Sequence, residues 1–86
     1  STLMQIVVRA WELREAARQR VCEGTQLAEA VRLARAACQL HATPQAHQLL
    51  ALALLANHQM SEAYAVIVSL LTEHAPMHRD DAHDTE

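Results

Sequence analysis

Glycine occurs once in this chain of 86 residues, proline twice, lysine and phenylalanine not at all, and the aromatics are one tryptophan and one tyrosine. A β-sheet needs turn residues between its strands and aromatic or β-branched side chains within them, so these shortages exclude a sheet-based fold. A lone glycine also leaves no material for a phosphate-cradling loop or a nucleophile elbow. Long apolar runs are missing too. The longest, Leu49 to Ala56, has eight residues, far below the roughly 18 to 20 that a membrane-spanning helix requires. The N-terminus shows no charged region leading into a long apolar stretch and a cleavage site. The expectation is a cytoplasmic protein with no membrane partner.

Positive charge is scarce and consists of arginine alone. Six of the seven arginines lie in the first 35 positions and are balanced by Glu12, Glu15, Glu23, Glu29, Glu62 and Glu73. The net charge of −3 comes from the tail, where Asp80, Asp81, Asp84 and Glu86 outweigh Arg79. A near-neutral body without a basic run is a weak footprint for DNA or RNA, so nucleic acid is not the expected partner. Cys22 and Cys38 have neither metal-ligand nor redox-motif spacing and read as small buried hydrophobes.

What the chain does have is alanine and leucine, both strong helix formers, and helix punctuation that divides it into four helices and a tail. Leu3, Ile6, Ala10, Leu13, Ala17 and Val21 follow one helical face, and Gly24 stands where a helix stops in a left-handed conformation. The first helix is predicted over about residues 3 to 23. Thr25 is the predicted cap of the second, whose stripe of Leu27, Ala30, Val31, Ala34, Ala37, Cys38 and Leu40 runs to about His41. Thr43 caps the third, with Pro44 in its first turn and an end near Asn57. Ser61 is the predicted cap of the fourth, in which Ala63, Tyr64, Ile67, Leu70 and Leu71 face inward until Pro76.

Loops of two to four residues fold consecutive helices back on one another as antiparallel neighbours. The predicted architecture is therefore all-α: one domain over residues 1–76, built of two antiparallel hairpins (about 3–42 and 43–76), with 77–86 an acidic, disordered tail. Along the second helix, Cys38 lies about 20 Å from the turn near Cys22, too far for a disulfide.

The hairpins echo each other. Residues 28–42 lie over 61–75 at an offset of 33, matching Glu29, Ala30, His41 and Ala42 to Glu62, Ala63, His74 and Ala75. A period in the mid-thirties with two helices per unit reads as stacked helical hairpins. Residues 45–76 resemble a tetratricopeptide repeat: Leu50, Ala51 and Leu54 fall on its first-helix core positions, Ala63 on its small second-helix residue and Pro76 on its closing proline. The first hairpin fits with one extra residue before Ala30. His58 stands in place of the turn glycine, and Leu54 in place of the usual tyrosine. A plain four-helix bundle is the alternative reading of the same helices.

No charged residue separates Arg35 from Glu62, an interval containing the whole third helix. A helix apolar all round is either the central core helix of the domain or one covered partly by another polypeptide. The repeat resemblance implies a concave groove lined by the first helices of the two hairpins and seating an extended peptide or a helix. Carried over residue by residue, that groove comprises Trp11, Arg14 and Arg18 with Gln45, Gln48, Leu52 and Leu55. Trp and Arg are favoured interface anchors, and an Arg pair at i, i+4 can grip carboxylates. The plainer reading makes Arg14 and Arg18 a solvated face paired with Glu15, and Trp11 a core residue.

Six histidines raise the question of a metal. His74 and His78 have ligand spacing, but Pro76 between them breaks the helix that would present them. No metal or other cofactor is expected, and catalysis has no candidate beyond a cysteine near a histidine. The functional expectation is a non-catalytic adaptor or small chaperone that binds a peptide or amphipathic helix of a partner protein. Small chaperones similar to the needle-subunit chaperones of type III secretion are one such setting. The competing expectation is a homodimer whose apolar third helix forms a self-interface.

Overall fold

The computed structural model describes residues 2–73. They form four helices, α1 (Thr2–Glu23), α2 (Leu27–Leu40), α3 (Pro44–Ala56) and α4 (Met60–Glu73), and no strand is present among the described residues. No helix among them is long and apolar enough to cross a membrane. Pro76 as a helix stop, the tail from 77 to 86, and the His74 and His78 pair lie outside the described residues.

Each connection is set by local chemistry, and two of the predicted caps are corrected. Gly24 ends α1 in the left-handed conformation (φ +72°), and its N–H donates to the Arg20 and Val21 carbonyls while the Thr25 N–H reaches back to Arg20. This is a Schellman closure. Gln26 rather than Thr25 is the N-cap of α2; it is itself left-handed (φ +52°) and makes no side-chain cap. Its Oε1 instead accepts a hydrogen bond from Arg20 Nε at 2.9 Å. α3 starts as predicted: Thr43 Oγ1 accepts from the Ala46 N–H at 3.1 Å and Pro44 occupies the first turn. The His47 ring N–H adds a hydrogen bond to the Thr43 carbonyl.

The α3–α4 connection repeats the first closure with a different residue. His58 takes the left-handed position (φ +62°), its N–H donates to Leu55, and the Gln59 N–H donates to the Leu54 carbonyl. The Gln59 carbonyl then receives the Ala63 N–H, so α4 begins directly and Ser61 lies exposed inside its first turn rather than capping it.

α1 packs on α2, α2 on α3 and α3 on α4, while α3 also touches α1; neither α1 nor α2 packs its backbone against α4. Helix α3 is thus the central helix, with three neighbours. A side-chain bridge between Arg35 and Glu62 ties α2 to α4 across it. That hydrogen bond holds the Glu62 carboxyl below its ordinary pKa and raises the pKa of Arg35.

The core is made mostly of alanine. Ala17, Ala30, Ala34, Ala37, Ala53 and Ala63 are fully buried, and among the described residues Leu54 is the only large side chain wholly out of solvent. Small residues at the crossings let the helices approach closely. They also leave the bulkier apolar side chains flanking the seam, with no second layer to cover them among the described residues.

Several residues predicted to point inward therefore do not. On α4, Ala63 is buried and Ile67 and Leu70 are half-buried, but Tyr64 and Leu71 are 71% and 66% exposed. That helix is an edge with α3 on one side only. Leu40, at the end of its stripe, is exposed. Cys22 is exposed rather than buried, Cys38 is half-buried, and both are free. Burial pushes the Cys38 thiol pKa up, partly opposed by Arg35.

Helix α1 has 22 residues and α2 has 14, so α1 is longer by eight residues, about 12 Å. The excess is at the N-terminal end. From Thr2 to Arg9 only Ile6 is even half-buried, and the first buried residue is Ala10. The predicted stripe of α1 thus outruns its partners, leaving Leu3 67% exposed.

Candidate binding groove

The exposed stripe of α3 is the floor of the site. Gln45, Gln48, Leu52 and Leu55 recur at the spacing of one helical face and are all exposed, opposite the buried Leu50 and Leu54. The stripe is polar in its first half and apolar in its second. A hollow of about 280 Å³ lies over the polar half, bounded by Arg14, Glu15 and Arg18 of α1 and by Gln45, Gln48, Leu49 and Leu52 of α3. A second, of about 400 Å³, lies over the apolar half between α3 and α4, lined by Gln48, Ala51, Leu52, Leu55, Ile67, Leu70 and Leu71. Gln48 and Leu52 belong to both, so the two form one groove that grades from charged to apolar.

At the charged end the two arginines differ. Arg18 is already paired with Glu15 at 2.7 Å, and the hydrogen bond lowers the Glu15 pKa and raises that of Arg18. Arg14 makes no ion pair among the described residues; its Nη1 lies 3.4 Å from Thr43 Oγ1, a long contact that leaves its other donors available. The solvated-face reading thus describes Arg18, whereas Arg14 remains the group best placed to meet a carboxylate.

Of the sequence-derived groove residues, Arg14, Arg18, Gln45, Gln48 and Leu52 line the polar hollow, and Gln48, Leu52 and Leu55 the apolar one. Trp11 lines neither. It lies one turn before Arg14 on the same stripe of α1, 54% exposed, so it is not a core residue. Sequence reasoning missed the α4 wall of Ile67, Leu70 and Leu71 because the repeat assigns that helix to the outside of the stack. The signal was present in the apolar spacing of α4, which is too broad for one helix contact.

No protein family, curated protein or solved structure matches the chain. Its site is therefore read from geometry alone. Among the described residues, no group of three or more His, Cys, Asp or Glu is arranged to hold a metal ion. What the groove offers is an apolar trough, two amides, and a guanidinium at one end.

Proposed function

We propose that the protein is a non-catalytic interaction module, an adaptor or small chaperone that seats an amphipathic helix or peptide of another protein along α3. The observation that carries this reading is the graded groove: Leu52, Leu55, Ile67, Leu70 and Leu71 offer an apolar seat, with Arg14 at the far end for an acidic residue. Grooves of this kind take amphipathic helices through anchors at i, i+3, i+4 and i+7. Water expelled from the leucines drives binding, and the guanidinium fixes direction and register.

A tetratricopeptide-like stack is supported by the neighbour pattern. A closed up-and-down bundle brings the first and last helices together, whereas here α1 and α4 are not in contact and α3 sits in the cleft between α1 and α2. Exposed Cys22, free as a thiol, fits a reducing compartment such as the cytoplasm. Burial of a client's apolar helix would shield it from aggregation, as a chaperone similar to the needle-subunit chaperones of type III secretion would do.

The test uses a fluorescent synthetic amphipathic peptide of about 15 residues, with leucines at i, i+3, i+4 and i+7 and carboxylates in one terminal turn. Saturable binding that is lost in Leu52→Asp with Leu55→Asp, with far-UV circular dichroism unchanged, supports the groove. Loss of helicity in that variant would make the leucines structural, and binding that survives the substitutions would place the seat elsewhere. Pull-down from the native source with mass spectrometry then names the client.

A further inference from the structure

We infer that the groove is occupied in the free protein by the N-terminal overhang of α1 from a second copy, the two chains exchanging overhangs about a two-fold axis. This rests on the groove being a helix seat and goes on to name a partner for it. The 33-residue repeat makes the α3–α4 pair the counterpart of α1–α2. The cleft of the first pair is filled by a helix, α3, and the corresponding cleft of the second pair is open among the described residues.

The chain itself carries a helix suited to that cleft. Leu3, Val7 and Trp11 follow one stripe of α1, with Val8 beside it, and all four are exposed. This stripe is the one that Arg14 and Arg18 continue toward the groove, so the apolar overhang extends the groove-facing side of the helix. None of Leu3, Val7, Val8 and Trp11, and none of the apolar cleft lining, carries a charge, so the facing side chains bury no ion against one another. Insertion within one chain is excluded by geometry. α1 is a single unbroken helix held by Ala10 and Ala17 in the core, and Arg14 reaches the start of α3, so the overhang projects away from the cleft.

Area favours exchange over a flat contact. A symmetric pairing of α3 on α3 would cover little apolar surface beyond Leu52 and Leu55, its only large exposed apolar residues. Mutual insertion covers the overhang and the Leu52, Leu55 and Leu71 face of both copies, a larger apolar surface than the flat contact and so nearer the roughly 1,600 Å² that a standard stable interface buries in total. Each joint is used twice, as an isologous interface requires.

The experiment is sedimentation equilibrium of the full chain at tens of micromolar, beside an overhang variant, Val7→Asp with Trp11→Asp, and the cleft variant, Leu52→Asp with Leu55→Asp. The expected result is twice the 9.5 kDa chain mass for the unmodified protein and a monomer for each variant, with helicity retained. If either aspartate pair lowers helicity, glutamine at the same positions replaces it and is judged by the same criterion. A monomeric unmodified chain overturns the inference, as does a dimer that survives either variant. The amphipathic probe peptide separates this failure from failure of the groove itself: a monomer that binds it keeps the seat and loses only the second copy, and one that does not loses both.

Discussion

Replacing His58 by glycine should stabilise the protein. His58 occupies the left-handed position of a Schellman closure at φ +62°, the role that Gly24 plays at φ +72° at the end of α1. A side chain in that region costs about 1 to 2 kcal/mol, while glycine regains freedom in the unfolded chain worth about 0.5 to 1 kcal/mol. The His58 ring is exposed and makes no hydrogen bond among the described residues, so little else is removed. The net gain is about 0.5 to 1 kcal/mol, or a rise of roughly 3 to 6 °C in Tm for a domain of this size. Gly24→Ala supplies the mirror measurement. An added Cβ there meets nothing within 4 Å, so its cost, about 1 kcal/mol, is backbone strain alone. Thermal and urea unfolding followed by circular dichroism read both. A lower Tm for His58→Gly, or no loss for Gly24→Ala, would refute the argument that left-handed strain controls these two turns.

Leu54→Ala removes the one large side chain that is fully out of solvent among the described residues and should cost about 3 kcal/mol, a large part of a small domain's stability, visible as a sharply lower urea midpoint. A cost under about 1 kcal/mol would mean that the alanine seam collapses around the gap. Arg14→Glu with Arg18→Glu should weaken binding of the acidic probe peptide in a salt-dependent way; unchanged affinity at low and high salt would remove the guanidinium from the seat. The carboxyls of Glu15, Glu29 and Glu62 each have a pKa lowered chiefly by a hydrogen bond from arginine. Their contribution is therefore present above the unfolded carboxylate pKa and is lost as pH falls through the lower folded values. Tm should be flat from pH 7 to about 5 and fall below about pH 4, with a smaller fall in Arg35→Gln, where Glu62 has lost its partner.

Local chemistry made much of this protein legible from its residues. The single glycine, the Thr43–Pro44 start and the alanine and leucine periodicity determine four helices and most of their ends, because capping and propensity act within one or two turns. The α3 stripe of Gln45, Gln48, Leu52 and Leu55 was likewise readable, since one face of a helix follows from spacing alone. Periodicity does not say how many neighbours a helix will have. The same apolar pattern buries Ala63 and leaves Tyr64 and Leu71 in water, because among the described helices α4 packs its backbone on α3 alone; it covers Ala10 and exposes Leu3, because α2 ends first. Thr25 and Ser61 had the chemistry of caps, but α2 begins after the left-handed Gln26 and α4 begins at Met60, one residue before Ser61. Sequence thus determined the elements and their apolar faces. Only the tertiary structure decided which faces found a partner, because burial depends on the lengths and neighbours of helices distant in the chain.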